Sequence, residues 1–500
     1  MKFLILLATL ALLSLLTLIG PVYGQGDASG VQTLLDDPNA PINFVWVLMC
    51  AFLVFLMQGG FAMLEGGLVR AKNVGNIMMK NLMDFSSASL GYWLIGFALM
   101  FGTDAFGVLG TDGFLLMGDS YDVNVYLLWM FQAVFAGTAA TIVSGAMAER
   151  TKFKTYMIFS FLISTFIYSI YGHWVWGGGW LSTLGDTLGL GVGHVDFAGS
   201  GVVHMVGGTA GLAGALVLGP RIGKYDANGK PKAMPGHSVS MAMLGVFLLW
   251  FGWFGFNPGS TLAATELRIS VIAVNTSLAA GAGALTAALY TWWRYGLPDV
   301  TMAGNGAIAG LVAITAPCAW VESWAAVAIG LIAGVLVTVS VRFFENKGID
   351  DPVGAVSAHM VNGAWGLIAV GIFADGTYGN YTTDGPFIVG ILYDPVVGAG
   401  QLAAQLIGVV AAFAWTFGTS YAMFKALDKI IGLRVSKEEE LAGLDVFEHG
   451  ITTFPSTNAS SEVSENSTVE VEKNGPLSGP KGFLDGISSG LASKIRPKRP

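Results

Sequence analysis

Asp196-Phe-Ala-Gly-Ser-Gly-Val-Val-His204-Met-Val-Gly-Gly-Thr-Ala-Gly-Leu212 recurs, altered but with its landmarks kept, as Asp351-Pro-Val-Gly-Ala-Val-Ser-Ala-His359-Met-Val-Asn-Gly-Ala-Trp-Gly-Leu367. In each copy an Asp precedes a His by eight positions, and the His opens the pattern H-M-V-x-G-x-x-G-L. At about 1.5 Å of rise per helical residue, that spacing puts each His about 12 Å from its Asp. With the Asp at a membrane face, the His falls near the middle of a roughly 30 Å hydrocarbon layer. An imidazole at that depth is costly unless it meets a partner or a pore, so both histidines are functional candidates.

The composition agrees with a membrane setting. Of the 500 residues, 53% are hydrophobic and 12% charged, where a soluble domain carries about 25% charged residues. Mean hydropathy is +0.63. The 69 glycines suit close helix approach in lipid. The net charge of −8 matters only through its distribution. Cys50 and Cys318 both lie in apolar runs and support neither a disulfide framework nor a metal site.

Lys2, the apolar run from Phe3 to Ile19 and small Gly24 read as a cleaved signal peptide over 1–24, the alternative being one more span. A polar, acidic extracellular segment follows over 25–43. Apolar segments of spanning length then fall near 44–67, 82–102, 124–147, 155–172, 198–219, 239–257, 270–293, 303–320, 323–342, 354–374 and 397–425. The length rule reads these as eleven transmembrane helices of an all-α polytopic protein, with a membrane domain over 44–425.

Basic residues alternate along the loops. One set holds Arg70, Lys72, Lys80, Arg150, Lys152, Lys154, Arg221, Lys224, Arg294, Arg342 and Lys347, and then Lys425, Lys429 and Arg434. The other has Arg268 as its basic exception and is dominated by Asp104, Asp112, Asp119, Asp122, Asp375, Asp384 and Asp394. The positive-inside rule then places the N-terminus outside and the C-terminus in the cytosol. The two Asp–His segments are the fifth and tenth spans and run in opposite directions. Helices 1–5 and 6–10 therefore read as inverted repeats, with both histidines near the axis that relates them. Chance likeness between Gly-rich helices is the competing explanation.

After the last span, 426–451 reads as an ordered cytosolic regulatory segment. From 452 to 500 the chain is Ser-, Asn- and Glu-rich and is expected to be disordered. Asn458 and Asn466 head glycosylation sequons that a cytosolic tail would leave unused.

Two histidines meeting at mid-membrane have three readings. They could bind a metal, though two ligands without further Cys, Asp or Glu make a poor zinc site. They could be a structural hydrogen-bonded pair. They could also line a narrow pore and exchange protons with what passes, since neutral imidazole offers one donor and one acceptor. On the outer side, His173-Trp174-Val175-Trp176-Gly177-Gly178-Gly179 follows span 4, and Gly252-Trp253-Phe254-Gly255-Phe256-Asn257-Pro258-Gly259-Ser260 ends span 6. Phe131 and Phe135 are four apart on span 3, hence on one helical face. Aromatic faces with a hydroxyl acceptor and little charge suit a small cation. An interfacial aromatic belt is the plainer alternative.

These stretches, with Gly60-Phe61-Ala62-Met63-Leu64, Val69-Arg70-Ala71-Lys72-Asn73, Gly145-Ala146-Met147-Ala148-Glu149-Arg150, Gly306 to Val312 and Asp350 to His359, resemble the ammonium transporter (Amt/Mep/Rh) family, particularly its AMT1-like branch. The likeness extends from about 45 to 450. It implies a homotrimer of eleven-helix subunits in the plasma or inner membrane, each conducting ammonium or ammonia, with methylammonium as an analogue. By position, Trp176, Ser260, Phe135 and Phe131 resemble the outer recruitment site. Phe135 and Phe256 resemble the gate below it, and His204 and His359 the twin histidines of the pore. Asp196 resembles a structural Asp behind the outer site, capping its helix. No cofactor or metal is implied. A PII-type signal protein on the cytosolic face is a plausible partner.

Glu65 in the first span departs from the pattern. It is expected to face the outer mouth or the trimer interface, without an assigned role. Leu441 to Gly450 resembles the regulatory motif of the AMT1-like branch, but Phe447 stands where plant members carry a phosphorylatable Thr. An ammonium sensor of the same fold and a Rh-like channel for neutral gas are the competing functions. An enzyme is not expected, as no nucleophile–base pair or metal cluster stands out.

Overall fold

A computed structural model describes residues 26–379 and 386–454. The expected signal peptide, Asp384, both sequons and the tail beyond Phe454 lie outside the described residues.

Eleven helices follow the order expected: α1 Ala40–Leu68, α2 Ala71–Phe101, α3 Val123–Ala146, α4 Phe153–Trp176, α5 Ser200–Leu218, α6 Val239–Thr261, α7 Ile269–Tyr295, α8 Val300–Thr315, α9 Ser323–Asn346, α10 Val356–Phe373 and α11 Val397–Ile431. Ten are long and apolar enough to cross a membrane. The exception is α8. Its 16 residues span only about 24 Å, and the chain then turns from Ala316 to Val321 instead of staying helical to 320. Two short helices, α12 Lys437–Ala442 and α13 Leu444–His449, close the described chain. Asp122 caps α3, Ser238 caps α6 and Asp299 caps α8, each accepting from backbone N–H groups of the first turn.

Two boundaries differ informatively from the sequence reading. Arg70, Lys72 and Lys80 suggest a basic loop ahead of span 2, yet α2 already starts at Ala71. Lys80 is fully buried inside it, because its Nζ donates to the Thr151 carbonyl at 3.3 Å. The helix after Asp196 also starts later than expected. Gly199 sits at φ 110°, where an L side chain is strained, and helix begins only at Ser200. The eight-residue spacing from Asp196 to His204 is therefore half turn and half helix, not one continuous rise.

α5, α3 and α10 are the enclosed helices, with 89%, 78% and 72% of their most apolar stretch buried against 33% for α1 and α11. Large apolar side chains on α1, α6 and α7 (Phe52, Phe247, Val274) face outward, as lipid-facing surfaces do. The two Asp–His segments are related in detail. Asp196 accepts from the N–H groups of Gly199, Ser200, Gly201 and Val202. Asp351 accepts from those of Val353, Gly354 and Val356. Both histidines lie in short π-helical stretches, Ser200–Met205 and Val356–Val361. Such wide turns interrupt regular helices at functional positions.

The same segments cross at their glycines. A Cβ on Gly208 would lie 2.3 Å from the Met360 amide nitrogen, and one on Gly363 would lie 2.4 Å from the Ser200 carbonyl oxygen. Each glycine stands four residues after its own histidine and meets the helix that carries the other. α5 ends near Arg221, whose guanidinium binds Asp350 just before α10. The start of α5 and the end of α10 both pair with the turn after α8, through Phe197 N–H to the Ala316 carbonyl and Asp375 N–H to the Trp320 carbonyl. Thus α5 and α10 run in opposite directions.

The basic face is tied together by ion pairs. Glu149, at φ 72°, accepts from Arg70 N–H at 2.7 Å and from its Nε at 2.6 Å, and Arg221 approaches it at 3.4 Å. Burial alone would raise the Glu149 carboxyl, but Arg221 and Arg70 outweigh it and hold it below its ordinary range. Arg221 also forks onto Asp350 at 2.8 and 2.9 Å. The C-terminal segment docks on this face. Arg434 pairs with Glu440 at 2.8 Å, and Asp445 accepts from Gly75 and Asn76 N–H at the start of α2.

Candidate functional site

A cavity of about 380 Å³ opens on the face opposite the ion pairs. Phe131, Phe135, Trp176 and Ser260 all line it, as the sequence suggested, together with Gln132, Ser182 and Phe197. Three elements supply the first four. α3 carries Phe131 and Phe135 one turn apart, with ring centroids 4.7 Å from each other. Trp176 ends α4, and its indole N–H donates to the Asp196 carbonyl at 2.7 Å, which fixes the ring. Ser260 lies in the last turn of α6 and donates to the Phe256 carbonyl at 2.9 Å, leaving its oxygen lone pairs for a donor in the cavity.

The rings continue inward as a column. Phe135 stacks on Phe256 at 4.1 Å and meets Trp176 edge-on at 6.4 Å. Phe256 stacks on His204 at 5.3 Å, and Trp253 covers His204 at 5.1 Å. His204 Nδ1 lies 3.2 Å from His359 Nδ1. Phe61 follows, 6.1 Å from the His359 ring. Both imidazoles are almost wholly buried. Of the two Nδ1 atoms one must donate and the other accept, so the pair fixes one proton between two rings. His204 Nε2 has no protein partner.

Asp196 stands behind the cavity. Burial pushes its carboxyl up to about 6, against the pull of its four backbone donors. Its backbone carbonyl accepts from the Trp176 indole, and its carboxylate accepts from the four backbone N–H groups that lead into α5. Glu65 is 2% exposed in the single chain, so it faces neither the outer mouth nor a surface that a trimer neighbour would cover. It is buried near the basic end of α1 and accepts from Ser144 and Asn81. Among the described residues no cluster of three His, Cys, Asp or Glu side chains could hold a metal.

Residues 45–454 match the family described as the Ammonium Transporter Family. The chain belongs to that family. Ammonium transporter Amt2 of Archaeoglobus fulgidus is 57% identical over 431 residues, covering 86% of this chain and 92% of its own. Ammonium transporter 1 member 3 of Solanum lycopersicum is 41% identical, covering 82% and 92%. Among solved structures, one titled Sensor Amt Protein superposes with a TM-score of 0.75 at 39% identity, covering 83% of this chain and all of that one. Mep2 of Candida albicans gives 0.71 at 32% identity, covering 81% and 87%. The resemblance drawn from the motifs and the multi-pass membrane architecture are thereby established. This ammonium-transporter chain also carries contacts that the motifs did not announce. Trp253 and Phe61 sandwich the histidine pair, and Gln132 lines the outer cavity. Trp253 lies inside the aromatic run that ends α6 and Phe61 inside a glycine-flanked stretch of α1, where belt and core residues look alike.

Proposed function

We propose that the chain takes up ammonium at its acidic, outer face. In this reading Phe131, Phe135, Trp176 and Ser260 recruit the cation, Phe135 and Phe256 form the gate, and His204 and His359 line the pore below. Asp196 is structural. One observation carries the reading: the stacked Phe135–Phe256 pair lies directly between the aromatic cavity and His204. Cation–π attraction and the Ser260 oxygen favour ammonium in the cavity. Past the gate, desolvation favours neutral ammonia, and the histidine pair offers the proton a separate route. Potassium, of similar size and charge, has no proton to lose. The reading includes a homotrimer, an outside N-terminus and a cytosolic C-terminus that a PII-type protein could engage.

Charge movement in proteoliposomes of the purified protein tests this. A transient current on an ammonium pulse, with none on a potassium pulse at matched ionic strength, is the expected result. No ammonium current, with internal alkalinisation retained, would replace it with electroneutral ammonia conduction. A second reading, sensing, is favoured by the likeness to the structure titled Sensor Amt Protein and by the docked C-terminal segment. Ammonium-dependent release of that segment without flux would establish it.

A further inference from the structure

Beside the ring column, α1 to α4 enclose a polar seam that the transport reading leaves unused. Glu65 on α1 accepts from Ser144 of α3 and, at 3.3 Å, from Asn81 Nδ2 of α2. Asn81 Oδ1 lies 3.0 Å from Thr141 Oγ1, which lies 3.1 Å from Asp84 Oδ2. Ser160 of α4 donates to Asp84 Oδ1 at 2.6 Å. Glu65 is 2% exposed and Asp84 fully buried, so a continuous chain joins two enclosed carboxyl groups.

Hydrogen counting constrains this chain. Asn81 Nδ2 is committed to Glu65 and to the Ile77 carbonyl, so the amide cannot be reversed. Its Oδ1 is an acceptor only, and Thr141 has a single hydroxyl proton. Thr141 can therefore donate to Asn81 or to Asp84 but not to both. Both contacts close only if Asp84 carries a proton and donates it to Thr141.

Charge leads to the same count. Lys80 is buried in this junction, 5.4 Å from the Tyr156 ring centroid, and supplies one positive charge. Two ionised carboxylates would leave net negative charge in a membrane interior, whereas one proton leaves the set neutral. Other titratable groups face it. The Tyr156 hydroxyl donates to the Ala140 carbonyl at 3.2 Å and also reaches Asp84, His449 on α13 lies within the field of Lys80, and Glu448 and Arg150 act on Lys80 with opposite signs from the basic face.

A third observation is independent of both counts. Gln58, two turns before Glu65 on α1, is 9% exposed, and neither atom of its amide has a protein partner. It points at Gly137, one turn from Thr141. Its amide shares with Asn81 the lining of an apolar groove beside α1 and α2, so the outer edge of the seam has hydrogen-bonding capacity to spare. The seam meets the column at Glu65. Phe61, one turn earlier, packs against His359. Gly145 lets Val353, at the foot of α10, pack close to the Glu65 carboxyl, since a Cβ there would lie 2.4 Å from Val353 Cγ2 and 3.6 Å from the Glu65 carboxyl carbon.

We propose that Glu65 and Asp84 form a second proton site on the flank of the pore, holding one proton at rest and taking up the proton that ammonium loses. In that step an N–H bond of the His359 imidazolium breaks and an O–H bond forms on the Glu65 carboxylate, with pore water carrying the proton between them. Release breaks that O–H bond and passes the proton to solvent water on the basic face, which restores the Glu65 carboxylate. The proposal rests on the reading that proton and ammonia part in the pore.

Infrared spectra and currents of the full chain in proteoliposomes test the two halves separately. A protonated-carboxyl band at neutral pH that is missing from Asp84→Asn is expected. Its absence from the unsubstituted protein, or its persistence in Asp84→Asn, would overturn the resting proton. Glu65→Gln, which keeps shape and polarity, should lower ammonium-driven charge movement by roughly tenfold or more, with ammonia-driven alkalinisation retained and Glu65→Asp restoring part of the current. Unchanged current in a folded Glu65→Gln protein would overturn the uptake step. Lack of current in the unsubstituted protein would instead remove the proton-separation reading and the uptake step with it, while the infrared band would still decide the resting proton.

Discussion

His204 and His359 approach through their Nδ1 atoms, at 3.2 Å, from helices that run in opposite directions. One ring donates and the other accepts, so a proton placed on either outer nitrogen can be matched by release from the other ring. Replacing either ring by Ala removes this contact and leaves the other ring without its partner. His204→Ala and His359→Ala should each cut ammonium-driven charge movement by roughly tenfold or more, or open the path to potassium. Unchanged current with potassium still excluded in both variants would contradict the assigned role.

Trp176 makes a fixed wall of the outer cavity through its bond to the Asp196 carbonyl. Trp176→Leu should remove about 1–2 kcal/mol of cation–π attraction, which raises the half-saturating ammonium concentration by roughly tenfold. Trp176→Phe keeps an aromatic face and should fall between the two. The concentration dependence of current measures this, and identical curves for all three proteins would argue against recruitment at Trp176.

Gly208 and Gly363 let α5 and α10 touch. The added methyl of Gly208→Ala or Gly363→Ala would meet backbone within 2.4 Å. Each should destabilise the protein by about 1–3 kcal/mol, as overpacking does, and lower its thermal unfolding temperature. Gly418→Ala, on α11 with helical backbone and open space around it, is the control for handling. Equal unfolding temperatures for all would show that the crossing tolerates separation.

Asp350 predicts acid sensitivity. Burial would raise its carboxyl, but the Arg221 hydrogen bonds and the charges of Arg150 and Arg221 bring it down to about 2. A depressed carboxyl contributes stability above its unfolded value near 3.8, and loses it as pH falls from there through about 2. The contribution is about 2 kcal/mol. Asp350→Asn should unfold more readily at neutral pH and show a flatter stability profile between pH values of about 4 and 2. A profile parallel to that of the unsubstituted protein would assign the acid loss to other groups.

Asp445 holds α13 against the start of α2, accepting from Gly75 at 2.9 Å, Asn76 at 2.8 Å and the Thr453 hydroxyl at 2.7 Å. Asp445→Ala should release the segment, and limited proteolysis after α11 should then speed up several-fold. No change in cleavage would mean that Arg434–Glu440 suffices to hold it.

The membrane fold was legible because apolar runs and basic loops obey simple length and charge rules. The paired segments were legible for a reason that the contacts now explain. In H-M-V-x-G the glycine is the crossing point, so histidine and glycine recur together at a fixed interval. Tertiary partners hid the rest. Lys80 looks like a loop residue until the Thr151 carbonyl is in view, and Gly199 delays a helix that spacing alone would begin at Asp196. Glu65 could not be placed because its partners, Asn81 and Ser144, come from two other helices. The four cavity residues were found through the family pattern. Gln132, beside two of them, carries no spacing signal of its own.

The crossing at Gly208 and Gly363 bears on how turnover is timed. A rocking transporter swings one repeat about the other and needs slack where they meet. Here backbone lies against backbone on both sides of the histidines, and the two segments act as a keystone. A swing would drive Gly208 into Met360 or pull Phe256 off His204. Under the transport reading proposed above, molecules file through a frame that stays still, and the dwell of each at the Phe135–Phe256 pair, not the beat of a moving domain, sets throughput.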